Sequence, residues 1–415
     1  MSQEPRAKTQ SLIIFLLAAI VFPLATAQAA ELTFRSGITV SEEYNDNLFL
    51  TPDDRVTDYV TRAMPSVNLH YGTDFWNWDV NYAYDYRHYA RRNREDDETQ
   101  SADARNRTEL IKNILFLEMR DVYSRISLDV ARDFTSESQF VNQTDRNVFT
   151  LNPYLMLKSD SPYSAVLGYR YIKTWYEDPL AIDTVADIGY AEVAAALSSR
   201  LTFTTGATFT HEESNARRFD RIDVYAGPHY TYAPNSYVYV SAANSRLDFG
   251  EGGHATHLLW KAGLTHQYST MTASVEASLS FISDPLGVLR REDRYMGTVR
   301  KETARTSFSI SGGMTEYRNA KTKNLESTTY RLGGTMRYTL TPRSSLSLDL
   351  STARQKDYQT STHQDLYFSG VRIEHRSAES LTLALDYRYT NVYSPDVYAA
   401  NYFNNRITLE IRKVF

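Results

Sequence analysis

The chain contains no cysteine in 415 residues, which excludes a disulfide framework, a thiolate metal site and a lipid-bearing N-terminal cysteine. Beyond the N-terminal stretch it has no apolar run of about eighteen residues, so a membrane-spanning helix is excluded as well. Mean hydropathy is −0.46, too polar for a helical membrane protein. Glycine-rich nucleotide loops, zinc signatures and EF-hand loops are missing, and no bound cofactor or metal is expected. No fixed-period repeat marks a solenoid. The formal charge of −5 offers no basic footprint, so nucleic acid is not an expected partner.

What is present is aromatic and two-faced. Aromatics make up 13% of the residues, 31 of them tyrosine, too many for a disordered chain. In Phe75–Tyr89, one alternate set is Trp76, Trp78, Val80, Tyr82, Tyr84, Tyr86 and His88. The other set is Asn77, Asp79, Asn81, Ala83, Asp85, Arg87 and Tyr89. A strand sends successive side chains to opposite faces, so this ribbon is greasy on one side and hydrated on the other. A transmembrane barrel wall needs about nine to eleven tilted residues of that kind, with rings near the lipid interfaces.

Residues 1–29 read as a cleaved secretory signal, leaving 30–415 as one unit. Arg6 and Lys8 form its charged start, Leu12 to Leu24 its apolar core, and Ala27-Gln28-Ala29 its cleavage site. From Glu31 onward about twenty alternating stretches follow, between eighteen and twenty-two, which predicts an all-β, closed antiparallel transmembrane barrel. Among them are Arg105–Glu118, Val122–Phe134, Met271–Ile282, Ser327–Leu340 and Ser380–Thr390. Ala191–Leu197 also suits a helix on propensity alone. Short links, such as Gly72–Asp74, Arg120-Asp121 and Ser198–Arg200, alternate with long polar ones, such as Arg91–Ala104, Glu177–Asp183 and Arg318–Glu326. Outer-membrane barrels show that rhythm, with short periplasmic turns and longer external loops. A long first link then places both termini on the periplasmic side of the outer membrane. Lipid cannot hydrogen-bond free backbone groups, so the sheet must close on itself.

The last strand presents Ile407, Leu409, Ile411, Lys413 and Phe415 on one face. An alternating strand ending in Phe resembles the signal read by the barrel insertion machinery, an expected partner together with outer-membrane lipid. Lys413 departs from that pattern. Hydrated lining is expected from Asp79, Asp85, Arg87, Arg170, Glu276, Arg331, Arg337, Asp386 and Arg388, mixed in sign and unlike the single-sign ring of a strongly selective pore. Tyrosine is expected mainly as an interfacial belt, although rings on an inner wall would suit sugar faces. His211-Glu212-Glu213 has the residue types of a general base site, but spacing supplies no partner, and a solvated strand end is the expectation. His254 and His257 should face opposite sides and share no metal. No catalytic residue is assigned.

Ser41–Thr51, followed by Asp58–Thr61 and Pro65–Val67, resembles a group of outer-membrane β-barrels found with exopolysaccharide and PEP-CTERM systems. Glu43, Tyr44, Asn45, Asp46 and Asn47 carry the likeness, which is sharp over roughly the first forty mature residues. Asn and Asp there serve either as turn formers or as oxygen ligands for calcium, and the turn role is expected. The resemblance implies a barrel associated with polysaccharide export or surface assembly, and the leading expectation is a cofactor-free pore for an exported polysaccharide, with periplasmic export components as partners. A general diffusion porin and a surface-anchoring barrel are the alternatives, and an outer-membrane hydrolase is a remote third.

The alternation is testable at two neighbouring residues. Val80→Arg should cost about 2–4 kcal/mol at mid-bilayer depth and Asn81→Arg much less, read from urea unfolding in lipid vesicles. Equal penalties would mean the faces are misassigned.

Overall fold

A computed structural model describes residues 30–128, 143–158, 162–215, 217–250 and 253–415; residues 1–29, read above as a signal, lie outside them. The first strands are β1 (Glu31–Asn45), β2 (Asp58–Gly72), β3 (Trp76–Tyr89), β4 (Asp97–Ile111) and β5 (Leu115–Ser127). They are followed by β6 (Gln143–Lys158), β7 (Tyr163–Tyr176), β8 (Thr184–Ala196), β9 (Leu201–Ser214) and β10 (Arg218–Ala233). Next come β11 (Ser236–Asp248), β12 (His254–Tyr268), β13 (Met271–Ser283), β14 (Leu289–Glu302) and β15 (Thr306–Asn319). The last five are β16 (Leu325–Thr341), β17 (Ser344–Asp357), β18 (Thr362–Ala378), β19 (Leu381–Tyr393) and β20 (Tyr402–Val414). Each strand pairs antiparallel with the next, and β1 pairs with β20 from Gly37–Val414 to Asn45–Arg406. The 20-stranded sheet is a closed barrel.

Side-chain reach shows which face is concave. Tyr190 on β8 donates to Asn152 on β6 at 2.9 Å, and Tyr225 on β10 to Glu192 on β8 at 2.7 Å. Arg372 on β18 reaches Glu410 on β20 at 2.8 Å. Contacts that skip a strand form only where side chains converge, so these residues point inward. On the opposite face Leu32, Val40, Leu264, Leu332, Leu350 and Leu409 stand exposed as an apolar outer surface.

The Asn/Asp motif after β1 is a clasp. Asn47, fully buried, donates through Nδ2 to the carbonyls of Thr51 at 2.8 Å and Phe403 at 3.0 Å. Asn404 donates to Asn45 Oδ1 at 2.6 Å, and Asn405 donates twice to the Asp46 carboxylate, each at 2.7 Å. Glu43 and Tyr44 lie within the β1–β20 ladder itself. Leu48 then turns inward onto Val60 and Tyr89. The motif ties the first strand to the last at the long-loop rim. At the other rim Phe415 N bonds Ser36 O at 2.8 Å, and Lys413 lies over the Phe415 ring, while Ile407, Leu409 and Ile411 face outward.

Two boundaries differ from the sequence expectation. Most of the segment taken as a loop, Arg91–Ala104, is strand from Asp97 onward, and the expected link Arg120-Asp121 lies inside β5; the turn is Lys112–Ile114. On the outer face of β4, Glu98, Gln100, Asn106 and Thr108 interrupt Ala102, Ala104 and Leu110, so no apolar alternation marks the strand. Its polar groups are met by β3: Tyr82 donates to Gln100, Tyr84 to Glu98 and Tyr86 to Asp96. The Tyr86 hydroxyl, with His88, also holds the loop carboxyl of Asp96 below the usual range. Ala191–Leu197 is strand through Ala196, its helix propensity overridden by ladders on both sides.

Removing the clasp has a defined expectation. Asn47→Ala strands buried partners and should cost about 1–3 kcal/mol, seen as a lower urea midpoint of the refolded barrel. An unchanged midpoint would show that the β1–β20 seam holds without it.

Candidate functional site: the lumen and its infolded hairpin

The expected lining residues lie on the concave face, and most are engaged by opposite charge. Asp85 accepts from Arg62 Nη2 at 2.6 Å and from Arg87 Nη2 at 2.8 Å. Asp79 meets His70 at 2.7 Å, Glu276 meets Lys261 at 3.7 Å, and Asp386 meets Arg388 at 2.7 Å. Arg337 bonds Ser345 at 3.1 Å and approaches Glu374 at 3.8 Å. Arg170 lies over the Tyr190 ring, 5.4 Å from its centroid. Arg331 lines a cavity of about 560 Å³ with Arg294, Glu292, Tyr317 and Phe368. Inward charges that the sequence reading had not singled out include Arg62, Glu118, Glu192, Lys261, Arg372, Glu374 and Glu410. The same two-residue alternation would have found them.

The lumen does not stay open to the long-loop rim. The β12–β13 ladder stops at Lys261–Ser278, and above that point the β13–β14 hairpin bends into the barrel. Phe281 packs edge-on to His257 at 5.1 Å and beneath the Arg221 guanidinium at 5.6 Å. Ser283 bridges Arg217 at 2.7 Å and Glu212 at 3.2 Å. Farther across, Ile182 N donates to Pro285 O at 2.7 Å, joining the β7–β8 loop to the β13–β14 loop. Leu289 and Ala320 close against Phe219 and Leu247, both inward residues of the β10–β11 wall.

Charge holds the hairpin in its bent form. Arg290, almost fully buried, pairs with Asp284 and donates to Glu326 at 2.6 Å. Asn319 donates to the other Glu326 oxygen at 3.3 Å. Arg291, Asp293, Glu316 and Arg318 belong by alternation to the apolar outer face, yet they form a linked cluster with Asp293 buried. Their polarity fits a surface that meets the inner wall of β10–β12 in place of lipid. Four charges of that parity near the strand ends were the available sequence signal.

The minor candidates resolve simply. His211 faces outward against Asp220 at 2.5 Å, whereas Glu212 and Ser283 meet inside, so no Ser–His pair forms there. His254 sits by Asp248 and His257 by the Ala320 carbonyl, apart from each other. Among the described residues no group of three or more His, Asp or Glu could hold a metal ion. Not all tyrosines belong to an outer belt: Tyr154, Tyr190, Tyr225 and Tyr239 point inward.

Together these features define a closed antiparallel transmembrane β-barrel of the outer-membrane kind, with a polar lumen narrowed by one of its own hairpins. No protein-family model matches the chain, and no curated protein matches its sequence. Solved structures match its fold. A copper transporter, OprC, aligns at TM-score 0.58 and 9% identity, covering 93% of this chain and 80% of its own. The siderophore receptor PirA from Acinetobacter baumannii aligns at 0.55 and 9%, covering 93% and 81%. A variant of the ferric enterobactin receptor from Pseudomonas aeruginosa aligns at 0.53 and 10%, covering 94% and 81%. Identity this low establishes shared architecture and nothing about cargo.

Arg290→Ala leaves Asp284 and Glu326 facing each other without their cation. Breaking such a buried pair costs about 3–5 kcal/mol, and the hairpin should loosen. Single-channel recordings should then show higher or noisier conductance than wild type; an identical trace would mean that the hairpin does not limit the passage.

Proposed function

We propose that the protein is an outer-membrane pore for a polar, polyhydroxylated cargo, with both termini in the periplasm. The observation that carries this reading is the lining. The concave face is built of hydrogen-bonding side chains whose opposite charges neutralise one another within a few ångströms. Such a wall solvates cargo without a net field that would trap it, and conduction needs binding weak enough to permit exit. The resemblance carried by Glu43–Asn47 supports the finer reading, export of an exopolysaccharide supplied by periplasmic components. The chemistry of passage needs no cofactor.

The infolded hairpin favours a second reading, a general diffusion porin for small solutes, because a constriction at the mouth sets a size limit. Ionic selectivity tests the lining common to both. Planar-bilayer reversal potentials across a salt gradient should show weak selectivity in the wild type. Arg331→Glu with Arg337→Glu should swing the pore towards cations, and the shift should fade near 1 M salt, where the Debye length is about 3 Å. An unchanged potential would remove those arginines from the conducting path. No conductance at all would favour a structural barrel.

A further inference from the structure

On the inner wall of β6–β12, three tyrosine rings lie flat against the sheet, each seated on a glycine of the neighbouring strand. A Cβ at Gly168 would strike the Tyr190 ring, and one at Gly206 would lie 2.5 Å from the Tyr225 hydroxyl. Gly263 seats Tyr239 in the same way. Hydroxyl bonds pin two of the rings down: Tyr190 to Asn152 at 2.9 Å and Tyr225 to Glu192 at 2.7 Å. The row ends at Tyr154, which donates to Glu118 at 3.0 Å and stacks on Phe116 at 5.2 Å with rings 16° from parallel. A ring seated on the backbone can offer only its other face, which Tyr190 shares with the long side chain of Arg170 and Tyr239 with that of Lys261, both of which a cargo ring would displace. Tyr190, Tyr225 and Tyr239 are half-buried, as that arrangement requires.

We infer that these rings form a saccharide-stacking track along one side of the lumen, with Tyr190, Tyr225 and Tyr239 as its platforms. The C–H face of a pyranose is apolar and flat, whereas its hydroxyls need donors and acceptors at the edges of the platform. Both are present. Arg170 lies over Tyr190, Lys261 lies 5.6 Å from the Tyr239 centroid, and Glu192 and Glu118 stand at the ring edges. Acid and base occur side by side, so the track suits a neutral glycan better than a polyanion, which would meet the carboxylates at each step. An apolar peptide would leave those charges without partners. The inference rests on the lumen being the cargo path, but its test does not require current to flow.

The test is equilibrium titration of the full mature barrel in detergent with cellohexaose, alongside cellohexaose block of single-channel current. Wild type should bind. Replacing Tyr190→Ala and Tyr225→Ala together should weaken binding about tenfold, equivalent to about 1.4 kcal/mol, while Tyr→Phe at both sites should retain most of it. Gly168→Ala keeps every ring but displaces Tyr190, and should weaken binding too. Tyr169→Ala, on the outer face, should leave the affinity unchanged. Should the double alanine variant fail to insert, Tyr239→Ala in the same titration decides the matter. Undiminished affinity in the track variants, or no binding by wild type at millimolar glycan, would overturn the track. Conductance without glycan binding would sink the track and leave the pore. Track-dependent binding without conductance would do the reverse.

Discussion

Every feature of this barrel follows from one constraint: a backbone crossing lipid must find all its hydrogen-bond partners within the protein. Antiparallel ladders satisfy it between sequential strands, but the first and last strands must also meet. Here that seam is the shorter ladder between β1 and β20, reinforced at one rim by Asn45, Asp46 and Asn47 against Asn404 and Asn405. Glu43–Asn47 therefore include residues with a structural task, closing the sheet.

The wall opens between β12 and β13 above Lys261–Ser278. Where the ladder stops, the Thr256 carbonyl of β12 is met by Lys323 of the β15–β16 connection at 3.4 Å, and His257 of β12 bonds the Ala320 carbonyl of that same connection at 2.9 Å. The inward bend packs Leu289 and Phe281 against the wall of β10–β12. Infolding thus replaces the β12–β13 ladder by side-chain packing and ion pairs. Its by-product is a narrowed mouth, which gives the lumen two unlike ends. The inner end has flat rings on glycine seats and the outer end a charged, packed constriction.

Architecture shared with receptors and a transporter of very low sequence identity carries the fold and leaves cargo to the lining. Mixed charges compensate within pairs, and tyrosines lie parallel to the wall because glycine removes the Cβ that would lift them. An aromatic face flanked by both signs of charge is the surface on which the proposed saccharide track rests.

Period-two alternation is a local property, and it was enough to establish a closed all-β barrel of about twenty strands and the two faces of β3, β13, β16 and β19. The structure has 20. It failed at β4, where the outward Glu98 and Gln100 are met by tyrosines of β3, a fact invisible within β4 itself. It also could not show that Arg291, Asp293, Glu316 and Arg318 leave the lipid, or that Tyr190 rests on Gly168, because both depend on strands far away in sequence. Alternation tells which side chains share a face. What that face meets, whether lipid, water, a sugar ring or a folded-in hairpin, is decided only when distant strands take their register and the sheet closes.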